Sequence, residues 1–321
     1  MEIIEWGATL TRPQATIVIT TRDRPEFLER AVESALRQSV QDVEIIVIDD
    51  GSTVPATLRS VDPRLRCVRQ EVSVGLSGAR NIGLKLARAP WITFLDDDDR
   101  LLPHMLETSL RAVEGSSLPP PIAVVSGVEV VDKSGQVLET SRPSPIPRGD
   151  NYLHQRKYKY NCSLLAPVEV LRSIGGWDST IVAWEHDDLL VRLNAECSIE
   201  GISQTTYLAT AHSGPRLTTN FLACADGINR TLAKYPQQFA SSPRLHARYL
   251  AEMSKNYLKA GMWLPAVGGA TRSLIRNPRR RHALRQWVGS LLGPRVKSFY
   301  LRNRERRNEL GRQPQRGGTV P

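Results

Sequence analysis

Residues 15–50 read ATIVITTRDRPEFLERAVESALRQSVQDVEIIVIDD: two short β-rich runs, each ending in polar side chains, with a helical stretch between them. The pattern continues through a turn at Asp50-Gly51-Ser52, the strand LRCVRQ, the helix SGARNIGLKLARA and the strand WITFL, which ends at Leu95. Such alternation predicts parallel strands joined by crossover helices, an α/β arrangement in which ligands gather at the carboxyl ends of the strands. The polar motifs of the chain fall at such ends.

Beyond Leu95 a helix is expected from Pro103 to about Val113, since proline suits a first helical turn and the breaker SSLPPP comes soon after Val113. IAVVSGVEVVD and NCSLLA read as further strands, and SRPSPIPRGD as a loop. The aromatic, basic segment YLHQRKYKY reads either as a loop over the site or as a plain solvated connection. Trp184 to Glu196 reads as a helix. Past Phe221 the pattern is helical, with helices expected over Ala247 to Ala260, Trp263 to Arg276 and His282 to Leu292, separated at Gly261 and at Asn277-Pro278.

The expected layout is an N-terminal extension (1–14), an α/β domain (15–219) in two halves (15–115 and 116–219), a basic helical region (220–312) and a disordered tail (313–321).

Of the 321 residues 40% are apolar and 24% charged, the balance of an ordinary folded protein rather than a disordered one. The formal charge of +10 is unevenly placed: from Arg272 onward there are 14 basic and 2 acidic residues, so the preceding chain is slightly acidic. Cys67, Cys162, Cys197 and Cys224 lie far apart with no CxxC pair, which argues against a zinc ribbon or a disulfide framework and fits reduced thiols in the cytosol. MEIIEWGATLTRPQ has no basic region followed by an apolar run, and no stretch of about 18 apolar residues occurs, so neither a secretion signal nor a membrane span is expected.

Phe94-Leu95-Asp96-Asp97-Asp98-Asp99 places four carboxylates straight after an apolar strand. Like charges repel unless a cation sits among them, and hard divalent ions take carboxylate oxygens. A metal bridging a diphosphate explains the run; a solvated acidic turn is the plainer alternative. Asp49-Asp50-Gly51-Ser52 ends the second strand, where carboxylates can accept from a ribose or a base N–H, although Asp-Gly is also turn chemistry. Gly75-Leu76-Ser77-Gly78-Ala79-Arg80-Asn81 puts small residues before a helix, then a cation and an amide on its first turns. That suits approach to a phosphate, and equally a helix cap with a structural Arg.

Together these segments resemble the inverting GT-A-fold glycosyltransferases of family 2, in order and spacing, over about residues 15 to 110. The resemblance implies a Rossmann-like nucleotide-binding domain with a mostly parallel central sheet, followed here by a helical extension. It implies that Thr20, Thr21 and Asp50 hold the nucleoside with Arg22 and Asp49 beside them, and that Gly78 and Arg80 serve the donor. Asp96 and Asp98 would be the outer members of a DxD motif, with Asp98 the metal ligand, Asp97 in the variable place and Asp99 behind them.

A second block, Gly175-Gly176-Trp177-Asp178 through Trp184-Glu185-His186-Asp187-Asp188-Leu189 to Arg192, is similar to the family's acceptor-side segment, where an acidic pair supplies the catalytic base. Gap-free alignment puts His186 where the family usually has the basic Asp. Glu185, His186 and Asp187 are the candidates, the two carboxylates being favoured because carboxylates serve elsewhere in the family. Asp188 and Arg192, four apart on one helix, read as a structural ion pair. In Thr210-Ala211-His212-Ser213-Gly214-Pro215-Arg216, His212 holds the place of a family histidine near the diphosphate or the metal, and Arg216 is a further phosphate contact.

The implied reaction is a single displacement with inversion, from a nucleoside-diphosphate-sugar onto a saccharide or lipid-linked hydroxyl, with Mn²⁺ or Mg²⁺. Its expected setting is the synthesis of cell-envelope polysaccharide, glycolipid or glycoconjugate. The alternatives are a catalytically impaired binding protein of the same fold and a nucleotidyltransferase. In the basic region Trp263, Leu264, Val267, Leu274 and Ile275, then Trp287, Val288, Leu291 and Leu292, interleave with arginines, which suits an anionic membrane surface better than nucleic acid. Packing on the catalytic domain is the plainer alternative. The expected location is cytoplasmic, with peripheral attachment at the inner face of the cell membrane.

Overall fold

The computed structural model describes residues 2–5, 13–155, 163–212, 214 and 217–278, of residues 2–5 and 155 the backbone alone. The chain divides into two compact units, Met1–Arg216 and Leu217–Pro321.

In the first unit the order is β1 (Glu2–Glu5), β2 (Ala15–Thr21), α1 (Pro25–Leu36), β3 (Val43–Asp49), β4 (Leu65–Arg69), α2 (Gly75–Leu86), β5 (Trp91–Asp96), β6 (Arg100–Leu101), α3 (Met105–Gly115), β7 (Ile122–Val131), β8 (Val137–Ser141), α4 (Tyr152–Gln155), β9 (Leu164–Pro167), α5 (Val168–Ser173), α6 (Glu185–Glu196) and β10 (Ser198–Thr210). Among the described residues these strands make one ten-stranded sheet, ordered β1-β4-β3-β2-β5-β9-β7-β10-β6 with β8 on β7.

β2 and β3 are buried along their whole length, which their continuous Val/Ile content requires, since alternation survives only where one face is wet. They pair parallel with each other, and the parallel block extends to β4 on one side and β5 on the other. The chain moves outward from β2 to β3 and β4, then returns to add β5 on the other side of β2. That reversal opens the crevice at the carboxyl ends. Register places Thr20 beside Asp96 and Thr21 beside Asp49, so the polar ends of three strands lie side by side. α1 buries Leu28, Ala31, Val32 and Ala35, at helical spacing, and α2 buries Ala79, Gly83 and Leu84.

Beyond β5, β9 is antiparallel to β5 and β7, while β10 is parallel to β7 and antiparallel to β6. The sheet is therefore parallel from β4 through β3 and β2 to β5, and carries antiparallel pairs on either side of that block.

Several boundaries differ from the sequence expectation for identifiable reasons. Glu2–Glu5, within the stretch read as an extension, pairs antiparallel with β4. The helix expected at Pro103 begins at Met105, because Leu102 and Pro103 are engaged outside it: the Leu102 carbonyl accepts from Gln38 and the Pro103 carbonyl from the Ser39 N–H at 2.7 Å. The helix expected from Trp184 starts at Glu185, since Trp184 is left-handed with φ 69°. Tyr152–Gln155 in the YLHQRKYKY segment is helical, with Tyr152 and Leu153 buried; residues 156–162, including Cys162, lie outside the described residues.

The second unit contains a 3-10 turn at Leu217–Thr219, then α7 (Phe221–Lys234), α8 (Pro236–Ala240), α9 (Pro243–Lys259) and α10 (Trp263–Arg276). α9 starts earlier than expected because the Ser242 side chain accepts from Leu245 N and Pro243 fills the first turn. Gly261, φ 82°, ends it as the sequence suggested. α10 presents Ala266, Gly269, Ala270 and Ser273 to α9, and the Ser254 and Ser273 hydroxyls donate to the Ala266 and Ala247 carbonyls at 2.6 and 2.7 Å. Arg216, the helix expected over His282–Leu292 and the tail from Gln313 lie outside the described residues.

Candidate active site

The carboxyl ends of β2, β3 and β5 carry Thr20 and Thr21, Asp49 and Asp50, and Asp96 to Asp99. Asp49 is buried and holds its own loop, accepting from Ser52 N at 2.9 Å, Ala56 N at 3.0 Å and the Arg69 guanidinium at 3.2 Å. Asp50 accepts from Val74 N at 2.7 Å, the Ser73 hydroxyl at 2.6 Å and Gly75 N at 3.0 Å, so it ties the end of β3 to the start of α2. Arg22 donates to the same Ser73 hydroxyl at 3.0 Å. Both aspartates thus shape the crevice wall. Gly78 lies on α2, where a Cβ would meet Val74 at 2.9 Å.

In the acidic turn Asp97 and Asp98 share Arg24, while Asp96 and Asp99 have separate partners. Asp97 accepts from the Thr21 hydroxyl at 2.8 Å and from Arg24 at 3.1 Å, and Arg24 also reaches Asp98 at 3.2 Å. Asp99 accepts from the Tyr207 hydroxyl and the Thr210 N–H, each at 2.9 Å. Asp96 accepts from Arg80 at 2.7 Å. Burial lifts the Asp97 carboxyl to about 6. Burial, with the charges of Asp96 and Asp98 added, lifts Asp99 well above the usual carboxylate range.

Asp96, Asp98 and Asp99 each bring a carboxylate oxygen within 4.8 Å of the others. An all-oxygen set of crowded, partly desolvated acids is what Mg²⁺ or Mn²⁺ takes, so these residues fit the cation expected from sequence. His212, read from sequence as a ligand, lies beside this cluster: its Nε2 stands 2.7 Å from Asp98 Oδ2, and its Nδ1 stands 3.0 Å from Gly214 N. Phe27 packs against its ring at 4.8 Å.

Arg80 is buried and spans the two halves of the site. One nitrogen donates to Asp96, another to Glu185 at 2.9 Å, and the guanidinium lies 4.4 Å over the Trp177 ring. Burial opposes its charge, but the carboxylates of Asp96 and Glu185 hold its pKa above the ordinary value. Arg80 meets carboxylates, so the structural-Arg reading describes it better than a phosphate contact. Asn81, the next residue, donates to the Trp177 carbonyl and accepts from the Trp177 N–H, both at 2.8 Å. The GLSGARN and GGWD motifs are thereby fastened together.

Glu185, His186 and Asp187 open α6. Burial works against the Glu185 carboxylate, but hydrogen bonding and charge from His186, with the charge of Arg80, hold its pKa down at about 2. His186 Nδ1 stands 3.1 Å from Glu185 Oε1. Asp187 is buried. Asp188 is buried and paired with Arg192 at 2.7 Å, as the i,i+4 spacing suggested.

Sequence reasoning did not single out Arg24, Arg69, Trp177 or Tyr207 as site residues. Arg24 carried a signal, being a cation just past the strand end. Tyr207 carried none, because β10 reaches Asp99 only through the sheet.

Residues 16–171 match the family model described as Glycosyl transferase family 2. The chain is 33% identical over 139 residues to the succinoglycan biosynthesis protein ExoO of Rhizobium meliloti, covering 42% of this chain and 39% of that protein. It is 35% identical over 132 residues to the GalNAc(5)-diNAcBac-PP-undecaprenol beta-1,3-glucosyltransferase of Campylobacter jejuni, covering 39% of this chain and 41% of that one. The match thus spans well under half the length of either relative. Among solved structures, S. aureus TarS 1-349 in complex with UDP-GlcNAc superposes with a TM-score of 0.51 at 14% identity, covering 87% of this chain and 79% of that one. At that identity the likeness concerns the fold, a GT-A arrangement.

Proposed function

This chain carries a domain of glycosyl transferase family 2 across residues 16–171, and on that premise we propose that it moves a sugar from a nucleoside-diphosphate-sugar onto a hydroxyl of a saccharide or lipid-linked acceptor, with inversion. The setting proposed is cell-envelope polysaccharide or glycolipid synthesis. Relatives named for succinoglycan biosynthesis and for glucosyl transfer to an undecaprenol-linked saccharide support that setting, and a neighbour solved with UDP-GlcNAc supports a nucleotide-sugar donor.

The observation that carries the reading is the meeting of three strand ends. Thr20 and Thr21, Asp49 and Asp50, and Asp96 to Asp98 share one crevice, closed on its far side by Arg80 and the start of α6. Asp49 and Asp50 fix the nucleoside wall through the loop after β3. Arg24 and His212 hold Asp98, and Thr21 holds Asp97, so the acidic turn is oriented before a ligand arrives. Asp96 and Asp98, with Asp99 behind them, would hold Mn²⁺ or Mg²⁺, whose Lewis acidity offsets the charge on a departing diphosphate. In the displacement the acceptor oxygen bonds to the anomeric carbon, the bond to the diphosphate oxygen breaks, and its electron pair leaves with the nucleoside diphosphate.

The test is release of nucleoside diphosphate from a panel of UDP-, GDP- and TDP-sugars with Mn²⁺, against a panel of saccharide acceptors. Asp98→Ala should lower the rate about 100-fold or more, the scale of removing one electrostatic group from a preorganised site. Full activity in Asp98→Ala at saturating metal would refute the role given to that carboxylate.

We also propose that the protein works in the cytoplasm, attached peripherally to an anionic membrane face. No helix among the described residues is long and apolar enough to cross a membrane. Met262, Trp263 and Leu264 are exposed together where α10 begins, and Arg272, Ile275 and Arg276 are exposed near its end. Apolar side chains interleaved with basic ones suit the interface of an anionic bilayer.

A further inference from the structure

Glu185, His186 and Asp187 differ in what they can reach. A general base must touch the hydroxyl it deprotonates, and it must offer a lone pair. Asp187 is 2% exposed. Glu185 is buried and already shared between Arg80 at 2.9 Å and the His186 ring at 3.1 Å. His186 alone of the three keeps an open face, with its side chain 22% exposed. Its Nδ1 points at the Glu185 carboxylate, and Nε2 meets no hydrogen-bond partner among the described residues.

The surroundings hold the ring in that pose. Trp177 packs edge-on against the imidazole at 4.9 Å and lies under the Arg80 guanidinium. Trp184, just before the helix, sits in the left-handed region with φ 69°, a conformation costly for a bulky residue that recurs where a site fixes the chain. The charged groups in contact with this pair are Glu185 on its own helix and Arg80 from α2, with Asp96 of β5 on the far side of Arg80.

We propose that His186 Nε2 is the general base of the transfer and that Glu185 is its positioning residue, fixing the proton on Nδ1 and balancing the imidazolium that forms. The assignment rests on the glycosyltransferase reading. The acceptor hydroxyl gives its proton to Nε2 as its oxygen bonds to the anomeric carbon, and the electron pair of the broken bond leaves on the nucleoside diphosphate. The imidazolium then returns the proton to solvent. Against burial, hydrogen bonding and charge from His186, with the charge of Arg80, hold the Glu185 carboxyl below its ordinary value, which suits a carboxylate that balances an imidazolium. A chain of contacts, Asp96 to Arg80 to Glu185 to His186, links the acidic turn to the base.

The experiment compares wild type with His186→Ala, His186→Gln, His186→Asp and Asp187→Asn, each checked for folding by circular dichroism. UDP binding with Mn²⁺ is measured by calorimetry, and nucleoside diphosphate release from the sugar panel is measured across pH. His186→Ala and His186→Gln should bind UDP within about twofold of wild type yet lose about 100-fold or more in turnover, the scale of general-base catalysis. Added imidazole should restore part of the His186→Ala rate. His186→Asp should recover activity with its acid limb at lower pH, since carboxylates titrate below imidazoles. Turnover within about threefold of wild type in both His186→Ala and His186→Gln, with an unmoved pH limb, would overturn the assignment; loss confined to Asp187→Asn would move the role there. A folded wild type that binds nucleotide but releases none from any sugar would overturn it in favour of a binding protein. One that binds no nucleotide would overturn the parent reading as well.

Discussion

Asp97 and Asp99 are acids held where ionisation is costly, and that has a measurable sign. Asp97 titrates at about 6 in the fold against 3.8 for an ordinary carboxyl, through burial first. A raised folded pKa gives stability that is complete below the unfolded value and is lost as pH rises through the folded one. With chelator present, the melting temperature should therefore fall as pH is raised from about 4.5 to 7.5, and Mn²⁺ should raise it more at pH 7.5 than at pH 5.5. A flat profile in chelator would contradict the burial of these acids. Glu185 has the opposite sign, its stabilising share being lost only as pH falls from about 4.5 toward 2. Arg80 joins Asp96 to Glu185, so Arg80→Ala should cost about 3 kcal/mol in urea unfolding, since it strands a buried carboxylate. Arg80→Lys should recover only part of that loss, because an ammonium cannot span both carboxylates in the plane of a guanidinium. The sequence located Arg80 but left its partner open between phosphate and protein. Its carboxylate partners lie in β5 and α6, and only the fold brings them to one guanidinium.

At the level of elements, α2 is seated on the sheet by a glycine. A Cβ at Gly83 would overlap the side chain of Val18 in β2, and Val18 is fully buried in the central strand. Gly83→Ala should therefore destabilise by about 1–3 kcal/mol despite the better helix propensity of alanine, as overpacking does in a tight core. Chemical denaturation measures it, and a gain in stability would show that α2 can lift off β2 freely. The elements from β2 to β5 were legible in the sequence because continuous β-branched runs and helical stretches are long enough to carry a period. β1 and β6 are four and two residues long, too short for any periodicity, and pair antiparallel through partners far along the chain. The start of α6 was misread by one residue because nothing in a tryptophan announces a positive φ. Exposure, the property that separates Glu185, His186 and Asp187, belongs to the folded chain, so the sequence could not use it to choose among them.

For the whole molecule, the two units invite different tests. The basic excess lies from Arg272 onward, and the last described helix ends at Arg276, so charge and exposed apolar side chains meet at the end of the described chain. Sedimentation with phosphatidylglycerol-containing vesicles should capture the protein, with much less captured by pure phosphatidylcholine or at high salt. Replacing Trp263 and Leu264 together by Ser should weaken capture about tenfold or more while leaving nucleotide release intact, given the apolar area withdrawn from the interface. Equal capture by neutral and anionic vesicles would remove the electrostatic part of that proposal. For the first unit the central claim is that the crevice at the ends of β2, β3 and β5 takes a nucleoside diphosphate with a divalent cation. Calorimetric titration with UDP, GDP and TDP, each with Mn²⁺, Mg²⁺ or chelator, tests it most directly. One nucleotide should bind, at least about tenfold tighter with metal, a gain of roughly 1.4 kcal/mol, and Asp98→Ala should abolish the gain. Failure of the folded protein to bind any of the three, with or without metal, would contradict it.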